Sequence, residues 1–135
     1  MTGLVEFYLA RLAEREQVAR AASPGPWSPD ADGYEVLAAD GITVAEGFAL
    51  SGPQLRATVQ HIALNNPERV LADIAAKRAL VDNHESALAW SQDPNCPDSQ
   101  RETYRLIAGG LYDAIRHLST AHSAHPDYDP SWAMS

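Results

Sequence analysis

Apolar positions recur at helical spacing through most of this chain, and that recurrence divides it into elements. Val5, Tyr8, Leu9, Leu12 and Ala19 share one stripe, and Glu16 and Arg20 stand as an i,i+4 ion pair, so residues 3–22 are predicted as a helix. Ser23-Pro24-Gly25-Pro26 ends it, because Pro has no amide hydrogen to continue the ladder and excludes the α conformation from the residue before it. Trp27 follows in a Pro-flanked loop. Alternation then replaces helical spacing, and residues 34–46 are predicted as a β-hairpin turning at Asp40-Gly41. A two-residue type I′ turn there sets Ala39 opposite Ile42, Leu37 opposite Val44 and Glu35 opposite Glu46. Such a hairpin is marginal by itself and must pack on helices or gain strands.

Helical spacing returns at Ser51-Gly52-Pro53-Gln54, a capping box with Pro near the first turn, which opens a helix over 53–64 with Leu55, Val59 and Ile62 on its stripe. Asn65-Asn66-Pro67 breaks and restarts it, with Asn66 as N-cap of a helix over 67–90 that carries Val70, Ile74, Val81 and Leu88 in register and pairs Asp73 with Lys77. A polar loop over 91–98 precedes a second capping box, Ser99 to Glu102. The last helix, 100–121, places Tyr104, Ile107, Leu111, Ile115 and Leu118 on one stripe. The tail, 122–135, is too rich in Pro for regular structure. The pattern predicts a mainly α protein, a small bundle of about four helices with one β-hairpin (α+β by a lenient count), forming a single domain over 1–135.

The block His61-Ile62-Ala63, Asn66-Pro67-Glu68-Arg69-Val70-Leu71 and Ile74-Ala75-Ala76-Lys77-Arg78, together with the tail from His125 to Trp132, resembles a family of small actinobacterial and actinophage proteins defined only as a domain of unknown function. The first helix followed by Gly25-Pro26-Trp27 is similar to that family too, so the resemblance spans most of the chain. It implies an actinobacterial or phage source, and it brings no catalytic or ligand residues with it.

Charge narrows the function classes. The 135 residues hold 18 acids and 10 bases, a formal charge of -8. The excess is local: residues 23–50 carry five acids and no base, and residues 93–135 carry six acids and three bases. No basic run exceeds Lys77-Arg78, so direct binding of nucleic acid or of an anionic membrane surface is not expected. The one cysteine, Cys96, excludes an internal disulfide and no Cys/His ladder holds a structural zinc. Met1 to Ala10 lacks the basic and apolar regions of a secretion signal, and no apolar run nears the ~18 residues of a membrane span. A cytoplasmic, soluble protein is expected.

Five histidines supply the first candidate chemistry. His122, His125 and Asp127, with His61 or His84 from other helices, have the atom types of a zinc or other divalent-metal site, in a spacing that matches no established signature. Each also has a plainer reading. His122 extends the last helix's stripe, His61 bonds carbonyls freed at the Asn65-Asn66-Pro67 break, and His84 is a boundary residue. Glu35 opposite Glu46 is a possible carboxylate pair, which needs a cation or solvent to relieve its repulsion. Nucleophile machinery is missing: there is no GxSxG elbow, Cys96 sits between Asp93 and Asp98, and Gly109-Gly110 lacks the Lys of a phosphate loop. Leu106, Gly109 and Gly110 instead share a face that a second helix or second copy can approach closely, giving a homodimer. Trp27, Asp127, Tyr128, Asp129 and Trp132 are the candidate binding residues, with the aromatics plugging a helical core or forming a groove for a peptide. The expectation is a non-enzymatic module, without cofactor, binding another protein through a basic surface on that partner; the alternative is a small metal-dependent hydrolase.

Overall fold

The capping residues place the helix starts. Ser51 Oγ accepts from the Gln54 amide at 3.3 Å with Pro53 in the first turn, and Asn66 Oδ1 accepts from the Arg69 amide at 3.1 Å. In the computed structural model, which describes residues 3–134, the order is α1 (Leu4–Ala21), β1 (Ser28–Pro29), β2 (Glu35–Leu37), β3 (Thr43–Glu46), α2 (Gly52–Leu64), α3 (Pro67–Gln92) and α4 (Asp98–Ser119). Short 3-10 turns follow at Thr120–His122 and Pro130–Trp132, so the tail is more ordered than its Pro content suggested. Ser135, at the end of the predicted tail, and Met1 and Thr2 lie outside the described residues. The protein is mainly α with a small antiparallel sheet, as the pattern predicted.

Two compact units make up the chain, and each is described by itself: Glu14–Ile74, and Met1–Ala13 with Ala75–Ser135. In the first, the sheet runs β1-β2-β3, and Val36, Val59 and Ala63 form its buried centre with Trp27, Leu55 and Ile62 packed against them. The helix α2 therefore covers the sheet and supplies the support the hairpin needs. The strand β1 escaped the sequence because its two residues include a Pro, which is tolerated only at an edge.

The hairpin turn corrects the expected register. Among the described residues no non-Gly residue has positive φ, so Asp40 does not take the type I′ conformation; within this turn Gly41 has positive φ, at +80°. The Ala38 amide donates to Ile42 O and the Gly41 amide to Ala38 O, both at 2.9 Å, which makes a three-residue loop. Ala39 thus lies in the loop and Leu37 faces Thr43 rather than Val44, while a bulge restores Glu35 opposite Glu46. Gly47 follows, where a Cβ would stand 2.6 Å from both Leu55 Cδ1 and Val59 Cγ2, so only Gly lets this loop pass over α2.

In the second unit, Leu4, Phe7, Tyr8, Arg11 and Leu12 are the buried face of α1, a phase that differs from the predicted stripe because Phe7 and Arg11 are inside while Val5 and Leu9 are half-buried. On α3 the buried line is Val81, His84, Ala87 and Ser91, and Leu88 is exposed. On α4 it is Ala108, Ile115 and Ser119; Ile107 is exposed. The predicted second capping box does not form: α4 starts at Asp98 after Pro97 with no side-chain cap, and Glu102 bonds Arg105 instead. That turn is held by Arg101, whose guanidinium donates to Ser91 O at 2.9 Å, Asp93 O at 3.2 Å and Cys96 O at 2.9 Å. Carbonyls left open at the C-terminus of α3 are thereby satisfied by a cation.

Candidate binding surfaces

Phe7, 1% exposed, organises the C-terminal tail. The rings of His125, Tyr128 and Trp132 lie 5.7, 5.8 and 5.2 Å from its centroid, and His122 lies at 6.4 Å. Tyr128 also meets Trp132 edge to face at 5.5 Å. Offset and edge-on packing of this kind places positive ring edges against negative faces. Arg11 stacks over Phe7 at 5.0 Å and reaches His125 Nε2, while His125 Nδ1 accepts from the Asp127 amide at 3.0 Å. From α4, Arg116 donates to Trp132 O at 2.9 Å and to Ala133 O at 3.2 Å. The tail is a folded plug.

The candidate tail acids are used differently. Asp129 caps the last turn by accepting from the Ser131 amide at 2.9 Å, and this bond holds its carboxyl below the ordinary carboxylate range. Asp127 is exposed. Tyr128 and Trp132 are half-buried against Phe7, and Trp27 belongs to the other unit, where its indole N–H donates to Ser23 O at 3.0 Å. Trp27 and Trp132 thus each pack on the core of their own unit.

The five candidate metal ligands do not come together as a set. His122 and His125 face Phe7, whereas His84 is buried with Nδ1 3.0 Å from Ala108 O and its ring 5.7 Å from Tyr112. His61 is exposed on α2, and the carbonyls it was expected to bond are taken by the asparagines: Asn65 Nδ2 donates to His61 O at 2.8 Å and Asn66 Nδ2 to Ala63 O at 3.1 Å. Among the described residues no three His, Cys, Asp or Glu side chains are grouped as a metal site requires. Cys96 is buried. The Glu35 carboxylate accepts from Thr43 Oγ1 at 3.3 Å, so the cross-strand acid pair has a hydroxyl to relieve it.

In the Glu14–Ile74 unit the 23–50 segment carries both acids and exposed apolar side chains. Asp30 is fixed as a turn residue: its carboxylate accepts from the Tyr34 amide at 2.9 Å and the Glu35 amide at 3.2 Å, and the Tyr34 bond foremost holds its carboxyl below the ordinary value. Asp40 accepts from the Ile42 amide at 3.1 Å, and Glu46 ends β3. Between β3 and α2, Phe48 is 84% exposed and Leu50 wholly so, with Ile42 exposed at the tip of the hairpin. Sequence reasoning assigned no role to Phe48 and Leu50; their signal was an apolar run in a gap between two predicted elements. Trp27 also stands between two hollows of this unit. One, of about 390 Å³, is lined by apolar groups of Val18, Ala22, Pro67 and Val70; the other, of about 410 Å³, runs along α2. No helix is long and apolar enough to cross a membrane among the described residues.

A family model matches residues 1–134, and the chain belongs to that family, described as a family of unknown function, DUF6221. No curated protein and no solved structure matches it.

Proposed function

We propose that this DUF6221 protein is a non-enzymatic interaction module that binds a basic surface of a partner protein through its hairpin and the loop that follows. The observation that carries the reading is the exposure of Phe48 and Leu50 within a segment, 23–50, that has five acids and no base. Single exposed apolar residues are ordinary, but two in one loop, in a stretch of chain whose charged residues are all acidic, have the makeup of an anchor with a polar flank. The acids Asp40 and Glu46 then speed encounter and fix orientation, and the apolar pair resists dissociation. We propose with it a phage-linked or host regulatory setting, since the sequence resemblance implies an actinobacterial or phage source.

The test is capture of partners from a lysate of the source organism by the immobilised protein at low and at high salt. F48S/L50S should weaken retention of the specific partner at least tenfold, since anchors of this size contribute about 2 kcal/mol each. D40N/E46Q should slow association and flatten the salt dependence. Retention of the same partners by both variants would overturn the proposal.

A further inference from the structure

We infer that the groove along α2 is a second docking site, one that takes an extended acidic segment of a partner protein between Arg56 and Arg69. This goes beyond the hairpin surface and uses none of Asp40, Glu46, Phe48 and Leu50, although Trp27, Pro29 and Gly33 of the same segment line the groove. The starting observation is how the four basic residues of the Glu14–Ile74 unit are used. Arg15 meets Asp73 at 3.5 Å and Arg20 meets Glu16 at 3.4 Å. Arg56 and Arg69 form no ion pair among the described residues, in a protein whose acids outnumber its bases by 18 to 10. Both line the same hollow of about 410 Å³. Where acids are in such excess, two cations left unneutralised in one groove are a local reversal of the surface charge, and they define the complement: carboxylates.

The shape selects a chain rather than a small anion. Arg56, Gln60 and Leu64 stand at i, i+4 and i+8 on one face of α2, a run of about 12 Å at the helical rise, and Arg69 lies beyond it in the first turn of α3. Arg56 is directed toward the other end. Its stem crosses Gly33, where a Cβ would stand 3.2 Å from Cγ, and its guanidinium lies over Gly52, where a Cβ would stand 3.2 Å from Nη1. The two glycines leave room for that exposed side chain to lie along the backbone without an acidic partner. The same hollow is walled by Trp27 and Pro29, with Leu64 55% exposed and Gln60 offering an amide. An extended segment with acids at its ends and apolar residues between them meets every one of these features. A phosphate ion touches one arginine and leaves the apolar stretch uncovered.

The experiment is fluorescence polarisation with the full chain and a labelled peptide of sequence EDLPLED, compared with KKLPLKK and with competition by inorganic phosphate. The acidic peptide should bind saturably and more tightly than the basic one, although the net charge of -8 favours the reverse. R56Q and R69Q should each weaken it roughly tenfold, and R56E/R69E should reverse the preference between the two peptides. Unchanged thermal melting of the variants keeps the comparison to binding. Three results would overturn the inference: no preference for the acidic peptide, equal binding by the glutamine variants, or displacement of the peptide by phosphate at stoichiometric concentration. F48S/L50S should bind the acidic peptide like the wild type, so failure of the hairpin proposal and failure of this one are separable.

Discussion

Arg101 donates to three carbonyls around the α3–α4 turn, two of them on the buried residues Ser91 and Cys96. Its loss leaves those acceptors without their charged donor, so R101M should destabilise the fold by about 2–3 kcal/mol in urea unfolding, with R101K intermediate. Asp30 has a different dependence. Its folded carboxyl is held below the ordinary 3.8, by the Tyr34 amide first. A carboxyl lowered on folding stabilises the native state above its unfolded value and loses that contribution as pH falls through its folded value. Thermal melting followed from pH 7 down into the acid range should therefore show an acid-sensitive component that D30N removes, with D30N less stable than wild type at neutral pH. Equal acid sensitivity in D30N would contradict this assignment.

At the scale of elements, glycines at different places carry opposite expectations. A Cβ at Gly47 collides with Leu55 and Val59, so G47A should cost about 1–3 kcal/mol through overpacking. At Gly109 and Gly110 a Cβ meets nothing within 4 Å, so G109A and G110A should each stabilise α4 by about 0.5–1 kcal/mol. The same pair tests the proposed homodimer face with Leu106: a sedimentation shift or a loss of stability on substitution would mean that a second chain approaches there. The four helices were legible because stops and caps such as Pro24 and Asn66 act locally. The phase of their buried faces was less so. Phe7 and Arg11 on α1, and His84 on α3, are buried because of partners far along the chain, the tail rings and Ala108 O among them, and periodicity holds no record of partners. The hairpin was legible as an element, but its register depended on whether Asp40 accepted a left-handed conformation, which only Gly41 does. The acids of the candidate site could be counted in the sequence. The exposure of Phe48 and Leu50 could not, since an apolar loop residue reads the same whether it anchors a core or faces water.

For the whole molecule, the excess of 18 acids over 10 bases sets the behaviour in solution, and the structure divides its use. Surface pairs such as Glu102 with Arg105, at 2.6 Å, are exposed and contribute little. The uncompensated acids of residues 23–50 have no such partners built into their own segment, and their field extends about one Debye length, roughly 8–10 Å at moderate salt. Partner association should accordingly weaken steeply between low and high ionic strength, while the stability of the fold changes little. The most direct test of the interaction account is hydrogen exchange of the protein free and bound to its captured partner at low salt. Protection concentrated on residues 40–50, reduced in F48S/L50S, is the predicted result; a partner footprint that leaves those residues unprotected would contradict it.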